Sequence, residues 1–245
     1  MSRRRQLVHA CHGVCCLLLI GCSVGGASDP TSPTASRPAE LAVFGDSISM
    51  SALRTTPGGT DPQRVGPGWA ERLGTLVPPG LRVDNLVRPG SWLSRDNPEG
   101  LIPSIVSQVP VGLDGLDMPR YLLVLGGRND LTHVEQGQLQ QAALEIDASA
   151  TARGVVAAFV TILPVNDRNR DRAITEPHRT RFNSWVSRTF GARVVAADPV
   201  LDRDGDGQLD QAFDAGDGVH LNEEGSQQLA AAAAAVVARN GWPAG

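Results

Sequence analysis

The chain reads as an α/β protein in which helices cover both faces of a parallel sheet. Three observations predict this. Five short apolar runs, at 41–46, 82–87, 121–126, 155–162 and 193–197, have the length of buried strands. They alternate with amphipathic stretches at about 68–77, 99–109, 134–152, 176–190 and 223–239, which calls for right-handed strand–helix–strand crossovers. Five strands in about 200 residues suit one three-layer domain, and no internal repeat interrupts it.

The elements follow in order. Residues 1–21 have the plan of a signal peptide: Arg3-Arg4-Arg5, then an apolar run from Leu7 to Ile20 that is short for a membrane span. Its end, Leu19-Ile20-Gly21-Cys22, resembles the lipobox of bacterial lipoproteins, in which Cys22 is lipidated and becomes the new N-terminus. Residues 22–40 are rich in Ser, Thr, Pro, Gly and Ala and read as a tether. Residues 41–245 form the single domain. Its first strand runs into Gly45-Asp46-Ser47, so Ser47 falls just past the carboxyl end of that strand, the edge where open α/β sheets bind ligands. A Ser here can also cap the following helix. The Pro- and Gly-rich stretch 50–67 reads as a long loop flanking the same edge.

Composition removes several chemistries. All 22 basic residues are Arg, which excludes a Gly-Lys-Ser/Thr phosphate loop and a Schiff-base lysine. The four Cys lie in the first 22 residues, so the body has neither a disulfide framework nor a thiolate metal site. No His-Glu-x-x-His pattern occurs. Removing residues 1–21 takes three Arg and no acid from a chain of net charge −4, leaving about −7, a balance that argues against nucleic acid as a partner.

Four separated segments fall at the carboxyl edge of the predicted sheet: Gly45-Asp46-Ser47, Asn85 to Gly90, Gly127-Arg128-Asn129-Asp130, and Asp217-Gly218-Val219-His220. Ester hydrolysis needs a nucleophile, a base and donors for an oxyanion. Ser47 can supply the hydroxyl, and His220 a base of the type that titrates near neutrality. Asp217 can hold the imidazole, and Gly90 and Asn129 can offer N–H groups. Each segment has a plainer alternative as well. Gly90 fits a turn, Asn129 and Asp130 fit a cap on the helix near 134, and Asp217 and His220 fit a surface loop before a helix.

As a set, in this order, these residues resemble the SGNH (GDSL) hydrolase family. The match consists of Ser47, Gly90, Asn129 and His220, supported by Asp217-Gly218-Val219-His220-Leu221-Asn222 with Gly225, and by Arg181-Phe182-Asn183 with Trp185. The resemblance covers about 41–240. It implies a flavodoxin-like three-layer α/β/α sandwich with a five-stranded parallel sheet, and an acyl-enzyme with Ser47 as nucleophile, His220 as base and Asp217 as its orienter. The backbone N–H groups of Ser47 and Gly90 and the Asn129 side chain would form the oxyanion hole. No cofactor is implied. Arg128 departs from the family by its bulk and charge, and Trp92 could wall the acyl site or pack in the core.

Asp202-Arg203-Asp204-Gly205-Asp206-Gly207-Gln208-Leu209-Asp210 resembles the start of a calcium-binding EF-hand loop, but position twelve is Phe213 where a Glu is needed. It reads as a solvated turn, and no metal is expected. The substrate expected is an ester of a small molecule, lipid or acylated glycan, met outside the cell by an enzyme anchored to the membrane through lipid on Cys22. Acyl transfer by the same triad and a non-catalytic surface-binding domain are the rival readings.

Overall fold

The computed structural model describes residues 38–54 and 63–242. The signal peptide, Cys22, nearly all of the tether and residues 55–62 of the expected loop lie outside the described residues. The order of elements is β1 (Ala39–Gly45), α1 (Ser47–Met50), β2 (Ser51–Arg54), β3 (Gln63–Pro67), α2 (Trp69–Leu76), β4 (Leu81–Asn85), α3 (Ile105–Asp114) and β5 (Pro119–Leu125). There follow α4 (Gln136–Thr151), β6 (Val156–Val160), α5 (Arg172–Phe190), β7 (Val194–Val195), α6 (Asp198–Leu201) and α7 (Glu223–Arg239).

The main sheet has five parallel strands in the order β4-β1-β5-β6-β7. β1 lies between β4 and β5 and is almost wholly buried. Its side chains alternate between two cores, as the pleat requires. Leu41 and Val43 pack with Trp69 and Leu73 of α2 and Leu229 and Ala233 of α7. Ala42 and Phe44 pack on the opposite face with Ile105 and Val109 of α3, Leu139 and Ile146 of α4 and Phe182 of α5. This is the three-layer sandwich expected. The strand order reverses at β1, with β4 on one side and β5 on the other. Loops leaving β1 and β5 therefore part from each other, opening a crevice at their carboxyl ends.

Several elements differ from expectation. The stretch 50–67 contains an antiparallel hairpin, β2 with β3, where a loop was expected. Its Leu53 N–H donates to Leu221 O at 2.9 Å, which ties the hairpin beside His220. The helix expected at 99–109 starts at Ile105 and ends at Asp114. Residues before it form a turn closed by an Asn97–Ile102 bridge, and Pro110 is accommodated inside the helix. Two single-turn helices, α1 and α6, were too short to show a period.

Candidate active site

Ser47 opens α1 directly after β1. Asp46 is the N-cap, and its Oδ1 accepts the Ile48 N–H at 3.0 Å. Capping and a nucleophile's position thus fall on neighbouring residues: the cap is Asp46, which leaves the Ser47 side chain available. His220 Nε2 lies 3.0 Å from Ser47 Oγ. His220 Nδ1 lies 2.6 Å from Asp217 Oδ2. With Nδ1 protonated toward the carboxylate, Nε2 is left as an acceptor for the Ser47 hydroxyl.

The Asp217–His220 segment is set by its own backbone. Asp217 Oδ1 accepts the N–H groups of Val219 and His220, both at 2.9 Å. Burial works against the charge on Asp217, but the bonds from the His220 ring and from the His220 and Val219 amides outweigh it and bring the pKa down to about 2. Gly218 has φ +81°, and a Cβ there would collide with Asn166 Oδ1. The segment is braced by Asp214, whose Oδ1 accepts from Gly216 N (2.8 Å) and Gly218 N (2.9 Å). Asp214 Oδ2 in turn accepts from Asn166 Nδ2 at 2.9 Å.

The second and third segments meet at the other side. Arg88 N–H donates to Gly45 O at 3.0 Å, which seats the Arg88–Gly90 turn against the end of β1. Gly90 has φ +78°, a backbone conformation that strains any side chain, and a Cβ would also press on Ile102 Cδ1 at 2.9 Å, which favours glycine. Among the described residues, neither the Ser47 nor the Gly90 backbone N–H has a hydrogen-bond acceptor. Asn129 sits in the single helical turn Arg128–Asp130 after β5, and its Nδ2 donates to Ser91 O at 3.0 Å. One of its two amide N–H groups is thereby occupied and the other is left over. Asp130 does not cap α4, which has its own capping box of Glu135 and Gln138.

The structure thus joins Ser47, His220 and Asp217 in one hydrogen-bonded chain, and sets Asn129 against the turn that carries Gly90. Cys22 lies outside the described residues. Trp92 is buried between His133, stacked at 4.8 Å, and the Arg95 guanidinium, also at 4.8 Å, which makes it a core residue. Arg128 donates to Asn169 Oδ1 at 3.0 Å, and burial lowers its pKa against the pull of Asp171 and Asp46. The sequence reading missed the bracing residues Asp214 and Asn166, and also Asn97 and Gln108, which donate to Gly90 O and Ser91 Oγ. Their signal was weak, since polar residues in loops are common. In the acidic turn, Asp202, Asp204 and Asp210 bring carboxylate oxygens within 4.8 Å of one another. Phe213 is 1% exposed and belongs to the core.

No protein-family model and no curated protein matches the sequence. Solved structures do match. A carbohydrate acetylesterase from Sinorhizobium meliloti superposes with a TM-score of 0.64 at 16% identity, over 82% of this chain and 99% of that one. An aryl esterase of M. smegmatis gives 0.67 at 16% identity, with the same coverage of 82% and 99%. A member of the lipolytic G-D-S-L family from Veillonella parvula gives 0.60 at 18% identity, again over 82% and 99%. The order of the sheet, the two covering layers and these superpositions agree: the chain has the α/β fold of the SGNH (G-D-S-L) hydrolases.

Proposed function

We propose that the protein is a serine esterase of the SGNH type, hydrolysing carboxylic esters through an acyl-enzyme. The observation that carries this is the chain Ser47 Oγ–His220 Nε2–Asp217, with spacings of 3.0 and 2.6 Å. Ser47 Oγ attacks the ester carbonyl while His220 Nε2 takes its proton. Asp217 holds Nδ1–H and the positive charge that forms on the ring. The carbonyl oxygen becomes an anion, received by the free N–H groups of Ser47 and Gly90 and the spare N–H of Asn129. His220 then returns the proton to the leaving alcohol. Water attacks the acyl-serine by the same steps, releasing acid and free Ser47.

The solved neighbours named above as carbohydrate acetylesterase and aryl esterase favour a small-molecule or carbohydrate ester as substrate. Export, with lipid on Cys22 holding the domain at the outer face of the cell membrane, completes the reading and rests on residues 1–22. A chain-length panel of aryl esters, run beside acetylated glycans, tests the activity. Wild type should turn over short acyl esters, and Ser47→Ala should reduce turnover to background with an unchanged melting temperature. A folded Ser47→Ala protein with wild-type turnover would remove the nucleophile and the proposal with it.

A further inference from the structure

The turn from Gly90 to Ser94 carries one of the three proposed oxyanion donors, the Gly90 N–H, and abuts another, Asn129. Four side chains hold it. Asn97 Nδ2 donates to Gly90 O at 2.8 Å, Asn129 Nδ2 to Ser91 O at 3.0 Å, and Gln108 Nε2 to Ser91 Oγ at 2.8 Å. The fourth is Asp130. Its Oδ2 accepts the Leu93 N–H at 2.7 Å, and its Oδ1 accepts both the Ser94 N–H at 3.0 Å and the Ser94 O–H at 2.6 Å.

We propose that Asp130 is a positioning residue for the oxyanion site: its carboxylate locks the Gly90–Ser94 turn against Asn129, so that both donors face the developing anion before it forms. The role rests on the esterase reading above.

Three arguments support it. Asp130 is fully buried, and a buried carboxylate is a costly way to gain stability, because its desolvation offsets much of what its bonds return. Burial accordingly raises its pKa, against the bonds from Ser94 and Leu93. Secondly, three donors reach it across two oxygens, and only a carboxylate offers acceptors on both; an Asn would turn an N–H toward one of them. Thirdly, Asp130 follows Asn129 in one helical turn. The acceptor that sets the Gly90–Ser94 turn and the donor aimed at substrate thus move as one piece. Ser91 O also decides which way the Asn129 amide faces, so a shift of the turn would misplace both donors together. Electrostatic stabilisation depends on donors already in place.

The test uses the full chain, with Asp130→Asn and Ser94→Ala beside wild type. Turnover of p-nitrophenyl acetate, melting temperature and inhibition by an alkyl boronic acid are measured; the boronate adds to a serine hydroxyl as a tetrahedral anion. Asp130→Asn should lower kcat by about 10²-fold, the usual cost of displacing a reacting geometry by about 1 Å, with KM changed by less than about 3-fold. Ser94→Ala, which loses only the hydroxyl bond, should lower kcat by about 5-fold. Boronate affinity should fall in proportion in both, while the pH profile of kcat/KM keeps its shape because the Ser47–His220–Asp217 chain is untouched. Wild-type kcat in folded Asp130→Asn, or a loss of kcat with full boronate affinity, would overturn the role. If Asp130→Asn fails to fold, Ser94→Ala decides by the same two criteria. Absence of Ser47-dependent hydrolysis in wild type is a separate result, and it would remove the esterase reading and this role together.

Discussion

Asp46 adjoins Ser47, the proposed nucleophile, and is wholly buried, with one carboxylate oxygen bonded to the Ile48 N–H and the other, Oδ2, without a partner. Burial pushes its pKa up from 3.8 to about 6, against the Ile48 bond and the nearby His220. The folded value lies above the unfolded one, so between pH 3.8 and about 6 the native state keeps a proton that the unfolded chain has released. Stability therefore falls as pH rises through that window and stays reduced above it. Asp46→Asn preserves an N-cap acceptor and removes the charge. It should raise stability above pH 6 by up to about 2 kcal/mol relative to its effect near pH 4, where the native Asp46 side chain is still neutral. Urea midpoints at pH 4 and pH 8 read this directly, because any constant cost of the amide cancels in the difference. Equal effects at the two pH values would rule out a buried charge at Asp46. Asp217 behaves in the opposite sense: held at about 2, it contributes above the ordinary carboxylate range and loses that contribution only as pH falls toward 2. The role proposed for Asn129 is on rate alone. Asn129→Ala should lower kcat by roughly 10²–10³, with KM little changed, the usual loss for one oxyanion donor. A loss confined to KM would show that Asn129 only binds the ground state.

At the scale of elements, what could be read from the sequence was whatever depends on local pattern. The helix expected at 223–239 is α7, Glu223–Arg239, since Asn222 caps it by accepting the Gly225 N–H and an Ala run carries it. The five strands were visible as apolar runs. The hairpin β2–β3 was not, because Pro57, Gly58, Gly59, Pro62, Gly66 and Pro67 mask any alternation. α3 was misplaced because Pro110 looks like a stop while the true start depends on Ser104 at the N-cap. The acidic turn is a case where a motif and its setting part company. Its carboxylates converge, but the residue at the position of the bidentate Glu is Phe213, buried in the core and unable to ligate. Chelation by EDTA should leave both melting temperature and esterase activity unchanged. A melting temperature lowered by EDTA and restored by added calcium would show that the turn holds a cation.

On the scale of the whole molecule, the parallel sheet brings to one edge residues that lie far apart in sequence. Ser47 and His220 are 173 positions apart yet within hydrogen-bond distance. The candidate triad was legible because its residues sit in short loops after strands, where residue type alone suggests chemistry. The bracing was not legible, because Asp214, Asn166, Gln108 and Asp130 acquire their meaning only from contacts that the fold creates. Location is a property of the chain as a whole too. No helix among the described residues is long and apolar enough to cross a membrane. We propose that the domain is held at a membrane through Leu19-Ile20-Gly21-Cys22, which offers the chemistry: a thiol for lipid and, after cleavage, a new amino terminus for acylation. One acyl chain holds a protein only marginally, so stable anchoring requires more than one. Wild type should therefore partition with membranes and carry lipid on Cys22 by mass spectrometry. Cys22→Ala should appear in the soluble fraction without lipid, and its turnover of a soluble aryl ester per mole of protein should equal that of wild type, because Cys22 has no part in the Ser47–His220–Asp217 chain. An unmodified Cys22 in the mature protein, or cleavage at another position, would refute the anchor while leaving the esterase reading intact.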